Sequence, residues 1–353
     1  MDFLIRILIP MNRPWRKRLM HIRRGKTLVL CFFSIASINT MVIASGNAAQ
    51  TEFNEDKLME QVITVAARLP TKKHAINGSI ASLEHSELRL VGHTHIQESL
   101  NRFAGVNLNR GNGQEYLPSV RSPVLTGSGG CAGFLMSEDG IPLRAAGFCN
   151  INELFEAHSE VADRIEILRG SGTALYGSNA MHGVINVVTP GVSAQNTLGI
   201  DIGEDGYGRL KFVGNQSFGG HNFGFAGSFT EDNGYRNDSG FGQQKISIRH
   251  SYSSGVTDIQ SGLTLTNLNQ ETAGYITGLD SYKSKDLAKS NPNPEAFRDA
   301  RAFRAWTKIR FSSRYGSWLV TPYARYTEMD FLQHFLPGDP LEENGQRSIG
   351  LQL

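Results

Sequence analysis

The chain has 353 residues, 40% of them hydrophobic, with 38 glycines and a formal charge of +2. That charge belongs to the first 48 residues, which hold eight Lys/Arg against one acid, Asp2; the remainder carries 27 basic and 32 acidic residues, a balance of −5. A mildly acidic body lacks the positive field on which nucleic-acid binding depends, so no nucleic acid is expected as a partner.

The leader has its own reading. Arg23, Arg24 and Lys26 precede an apolar run, Thr27–Ile38, and small residues follow in "ASGNAAQ" (44–50). A basic region, a short apolar region and a small-residue cleavage site predict a secretory signal peptide over residues 1–48, cut after Ala48. The apolar run is too short for a membrane span, which needs roughly 20 residues. An exported chain retains Cys131 and Cys149, and in an oxidising compartment such a pair is a disulfide candidate. A soft-metal site of Cys131, Cys149 and Met136 for Cu(I) is the alternative. Its spacing is unspecific, so neither a metal nor a cofactor is expected.

Residues 49–76 read as an acidic, flexible arm around one β-prone run, "QVITVA", from Gln61 through Val62, Ile63, Thr64 and Val65 to Ala66. An isolated β-former in a polar arm is suited to adding a strand to another protein's sheet edge. It also reads as the first strand of the domain that follows. Residues 77–191 mix helical and strand periods and predict a compact α+β domain. Ile96, Leu100 and Phe103 have helical spacing within 93–106, with Thr94 as N-cap and Gly105 as stop. "RIEILRG" (164–170) alternates as a strand, and Asp139-Gly140 signals a tight turn.

From residue 192 to 353 the texture changes to eight alternating runs of about ten residues separated by turn residues. They begin at "TLGIDIG" (197–203) and end at "RSIGLQL" (347–353). Aromatics such as Tyr252, Phe303, Trp318 and Tyr326 fall towards their ends. In an exported chain this is the signature of a transmembrane β-barrel, although soluble sandwiches alternate too.

The glycines at 170, 172, 177 and 183 invite a phosphate-loop reading, which fails. Leu175 stands where a dinucleotide fingerprint requires its third glycine, and no lysine occurs between 162 and 190. The glycines are expected to make tight turns and close backbone approaches.

The stretch "ADRIEILRGSGTALYGSNAMHGVINVVTP" (162–190) closely resembles the end of the plug domain of TonB-dependent outer-membrane receptors. Arg164, Glu166, Arg169, Gly170, Ala174, Leu175, Tyr176, Gly177, Ala180, Gly183, Val184, Ile185 and Asn186 fall on the family's pattern. Upstream, "ESLNRFAGVNLNR" (98–110) and "SEDGIPL" (137–143) are similar to earlier plug elements, and "EQVITVAARLP" (60–70) is similar to a TonB box. Arg121-Ser122-Pro123 and His182 depart from the usual residues.

The resemblance implies an α+β plug domain followed by antiparallel transmembrane β-barrel strands. Eight strands fall short of the family's 22, so the chain reads as a truncated receptor with an incomplete barrel. It further implies a receptor and not an enzyme, in the outer membrane, that takes up a scarce extracellular ligand. The expected ligand is an iron chelate such as a ferric siderophore; haem, cobalamin, copper or a carbohydrate are alternatives. TonB, driven by the ExbB/ExbD motor, would pair with Gln61–Ala66, while Arg164, Glu166 and Arg169 would pin the plug to the barrel wall. The rival class is a soluble periplasmic α+β protein with a β-sandwich tail.

Overall fold

The computed structural model describes residues 62–65, 71–111, 113–124, 133–145 and 153–353. The leader, Gln61, Ala66, Cys131 and Cys149 lie outside the described residues, and with them the predicted signal peptide and disulfide.

The α+β part begins with two short paired strands, β1 (Val62–Ile63) and β2 (Thr71–Lys72). β3 (Ile80–Glu84) leads into helix α1 (His85–Val91), which starts in a reciprocal capping box between Glu84 and Glu87 and stops at Gly92. The helix expected over 93–106 contracts to α2 (Gln97–Leu100). Thr94 does not cap it. The Glu98 carboxylate instead accepts from the Thr94 hydroxyl (2.8 Å) and from the Thr94 and His95 amides, drawing the chain into a compact turn ahead of the helix. β4 (Val106–Arg110) pairs with β5 (Tyr116–Val120), followed by β6 (Phe134–Glu138), β7 (Ile141–Pro142), β8 (Arg164–Arg169), α3 (Thr173–Tyr176) and β9 (Gly183–Val188). The central sheet has the order β3-β8-β9-β6-β7, with β6 and β9 parallel. Its core packs Leu83, Leu100, Phe103, Leu108, Tyr116, Ile165, Ile167 and Ile185 together. Met136, the thioether considered for copper, belongs to this core and accepts the Tyr116 hydroxyl at 3.3 Å.

All eight runs read from the C-terminal half are strands of one antiparallel sheet: β10 (Thr197–Ile202), β11 (Gly208–Phe218), β12 (His221–Asp232), β13 (Phe241–Ser254), β14 (Thr257–Glu271), β15 (Phe297–Ser313), β16 (Gly316–Leu332) and β17 (Leu341–Gln352). Each pairs with its sequence neighbours, and β10 and β17 are unpaired on their outer edges among the described residues, so the sheet is an open wall. Two-residue turns close one end, at 219–220, 255–256 and 314–315, while the other end carries loops as long as residues 272–296. The long loop contains a short helix, α4 (Lys285–Lys289).

The two faces of the wall are inverted relative to a water-soluble sheet. On the face against the α+β part, Lys245, Ser247, Thr264, Thr266, Arg304 and Thr327 are buried, and on the other face Leu198, Ile200, Phe225, Phe229 and Ile246 are exposed. Polar inside and apolar outside is what a lipid-facing barrel requires, since the hydrocarbon replaces water on the outer surface. An apolar patch on this scale exposed to water would be a liability. Phe241, Leu268, Ala300, Met329 and Phe331 form an inward apolar cluster around Phe155 towards the long-loop end, and a smaller one joins Val213 and Ala226 of the wall to Val161.

Candidate functional site: the arm docked on the inner domain

The arm is held against β8 and β9 by one carboxylate. Glu166 is the third residue of β8, and antiparallel pairing places it opposite Asn186 of β9 and Ser82 of β3. Its side chain is fully buried. It accepts hydrogen bonds from the Thr64 hydroxyl (2.9 Å), the Thr64 amide (3.2 Å to each oxygen), the Val65 amide (2.9 Å), Arg164 Nε (2.8 Å) and Asn186 Nδ2 (3.3 Å). A carboxylate buried this deeply needs such a set of donors to offset its lost hydration.

Apolar contacts complete the dock. Ile63 and Val65 are buried with Ile80, Leu135, Ala180 and Val184, and Ile76, Leu168 and Tyr176 pack against them. The Tyr176 hydroxyl donates to the Val65 carbonyl at 2.8 Å. The glycines of the motif shape this surface. Gly170 and Gly177 have φ values of 120° and 78°, the left-handed side that glycine adopts without strain. A Cβ on Gly183 would fall 2.5 Å from the Leu168 carbonyl oxygen, so only glycine lets β9 lie this close to β8. No phosphate cradle is involved.

These contacts correct one expectation. Among the described residues, the hydrogen bonds of Arg164, Glu166 and Arg169 stay within the α+β part. Arg164 pairs with Asp163 and Glu166, and Arg169 Nη1 donates to the Ala104 carbonyl at 2.8 Å. The physical reason is position: β8 is an interior strand of the central sheet, flanked by β3 and β9, and the wall is reached from other segments.

A second set of residues, missed from the sequence, makes the contact with the wall. Arg304 of β15 binds Glu138 (3.1 Å) and Glu156 (3.0 Å), all nearly inaccessible to solvent. Lys245 of β13 donates to Glu160 (2.9 Å) and to the Ala157 carbonyl (2.7 Å). Arg249 binds Asp139 and Thr189, and Arg298 lies 3.2 Å from Glu115. His158 bridges the wall hydroxyls of Ser247 (2.8 Å) and Ser228 (3.1 Å). Burial holds His158 down at about 4, so its ring is neutral and sits among hydroxyls as either donor or acceptor.

The two carboxylates on Arg304 differ. Glu138 is held below its usual range: burial opposes ionisation, but Arg304, Arg249 and the His158 amide outweigh it. Glu156 is pushed up to about 7, because burial outweighs Arg304 and the neighbouring Glu138 charge adds to the cost. The Arg304–Glu156 contact has the geometry of an ion pair, yet one guanidinium serves two carboxylates and cannot keep both fully ionised. Among the described residues no group of three or more His, Cys, Asp or Glu is placed to hold a metal.

Comparison with known proteins agrees with this architecture. Residues 72–184 match the family model of the TonB-dependent receptor plug domain. The ferripyoverdine receptor of the outer membrane of Pseudomonas aeruginosa is similar in structure, with a TM-score of 0.62 and 13% identity over 84% of this chain and 41% of that one. The ferric citrate transporter FecA gives a TM-score of 0.61 with 17% identity over 78% and 42%. The siderophore receptor PiuA from Acinetobacter baumannii gives 0.55 with 17% identity over 72% and 37%. This chain thus spans about 40% of the length of the solved structures it matches. At such identities the likeness to the solved structures is one of fold: residues 72–184 match the plug-domain model, and the strands beside them share the fold of the barrel walls in those structures.

Proposed function

We propose that this chain is the plug-bearing part of a TonB-dependent outer-membrane receptor for energy-coupled uptake of a scarce ligand, a ferric siderophore. The observation that carries the reading is the docked arm: a short β-prone segment precedes the matched plug domain and is seated through contacts that a pull could undo. Thr64 and Val65 offer backbone amides that a pairing strand would need, and Glu166 occupies them. TonB, powered by ExbB/ExbD, would take Gln61–Ala66 as an added strand once those amides are released. Force on the arm would then pass along the chain through β2 into β3, which pairs with β8, and so into the plug. The inverted wall supports an outer-membrane location and stands against the soluble sandwich alternative. Export would use residues 1–48 as a cleaved signal peptide, and Cys131–Cys149 would bridge.

The siderophore assignment rests on fold neighbours whose own names specify ferripyoverdine, ferric citrate or siderophores. Equilibrium binding of ferric hydroxamate, catecholate and hydroxycarboxylate chelates to the purified chain, against haem, cobalamin, Cu(II) and oligosaccharides, tests it. One ferric chelate class should saturate binding. Preference for any of the competitors would overturn the ligand assignment while leaving the TonB coupling untouched.

A further inference from the structure

Among the described residues, His221 and His250 make no hydrogen bond to the plug. His221 opens β12 directly after the Gly219-Gly220 turn, and His250 lies on β13. The register sets His221 opposite Tyr252 and Phe223 opposite His250, so the histidines are diagonal neighbours. By strand alternation both share the outer face of Phe225, Phe229 and Ile246, at the short-turn end. Nδ1 of His221 and Nε2 of His250 are 2.9 Å apart, with ring centroids at 5.2 Å and planes within 20°. Tyr252 stacks on His221 at 4.5 Å and Phe223 lies 5.0 Å from His250.

We propose that His221 and His250 form a two-imidazole site for a divalent transition metal, Cu(II) or Ni(II) in preference to Zn(II), on the outer rim of the barrel. Two nitrogens each about 2.0 Å from a metal lie about 2.9 Å apart at a right angle and about 3.3 Å apart at the tetrahedral angle. The observed 2.9 Å is the length of the hydrogen bond between the rings, and it is also a separation that two cis nitrogens of a tetragonal centre can span without the strands moving. The flanking rings fix the imidazoles, so little order has to be created on binding. Chemistry permits the exchange. In the neutral pair one ring donates to the other, and moving its proton to its far nitrogen frees a second lone pair without net proton release. No third His, Cys, Asp or Glu joins them among the described residues, which leaves other coordination positions to water. The site is therefore open, and acid competes with the metal for the same nitrogens. It is independent of the uptake reading.

The test is Cu(II) titration of the full chain in detergent micelles, followed by electron paramagnetic resonance at neutral pH and in acid. Wild type should bind one more equivalent than His221→Asn or His250→Asn, with two equatorial nitrogens in the spectrum, and lose it in acid. The double variant should lose no more than either single one. The remaining histidines are common to all samples and set the background. Equal uptake by wild type and the single variants overturns the proposal. So does a wild-type spectrum with one nitrogen or none, a readout that needs no variant to fold.

Discussion

Replacing Glu166 by Gln tests the docking of the arm at its hub. The amide keeps one acceptor oxygen, which can still serve Thr64 and Val65, but it turns an NH2 group towards Arg164 Nε, now 2.8 Å from the carboxylate. Two donors then face each other. Hydrogen bonds to a charged group contribute about 1.5–3 kcal/mol, against about 0.5–1.5 kcal/mol for neutral ones. Loss of the Arg164 bond and weakening of those from Thr64 and Val65 therefore loosen the arm by roughly 2–4 kcal/mol. Since every 1.4 kcal/mol is tenfold, the Thr64 and Val65 amides should exchange with deuterium about 30- to 700-fold faster. Ile165 and Ile167, whose side chains are buried in the core, should keep their protection. Hydrogen exchange of the full chain in micelles, read by mass spectrometry on peptides covering 62–65 and 164–169, measures both. Unchanged exchange at Thr64 and Val65 would refute the hub, and equal loss over 164–169 would mean that Glu166 supports the whole sheet and not the arm.

Arg304→Met should destabilise the seating of the plug by about 3–5 kcal/mol, because it strands Glu138 and Glu156 without their cation; urea unfolding in micelles reads this, and adding Glu156→Gln should recover part of the loss. Glu156 titrates at about 7 in the folded chain, above its ordinary carboxyl value, so its contribution is fully present in acid and is lost as pH rises through 7. Stability of wild type should fall from pH 5 to pH 8 relative to Glu156→Gln, and parallel pH profiles would contradict the assignment. Phe225→Arg, mid-strand on the outer face, should cost about 2–4 kcal/mol of membrane insertion if the residue lies near the bilayer midplane; unchanged partition into liposomes would remove that face from the lipid.

The wall was legible because each strand carries its own alternation, and both edges of a strand are marked by turn residues. Phe223, Phe225, Gly227 and Phe229 suffice to read β12 without knowledge of its partners. The α+β domain was legible as a motif more than as local structure. The helix expected over 93–106 is limited to α2 because Glu98 binds the chain ahead of it, whereas α1 carries local marks at both ends, Glu84 with Glu87 and Gly92. What could not be read was which charge meets which. Arg304 and Glu138 are 166 residues apart in the chain, and Lys245 and Glu160 are 85 apart. Nothing local distinguishes them from Arg164, which stays within the plug. Likewise the β-prone run 61–66 left open a partner strand or a domain strand. In the structure Val62–Ile63 pairs with β2, and Thr64–Val65 rests on a side-chain carboxylate where a second strand would be.

The most direct measurement is binding of the periplasmic domain of TonB to the full chain in micelles, comparing wild type, Glu166→Gln and Glu166→Gln with Ile63→Pro. The coupling account predicts weak binding by wild type, tighter binding once Glu166 no longer holds the arm, and loss of that gain when proline removes the Ile63 amide and breaks strand pairing. Equal binding by all three would contradict it.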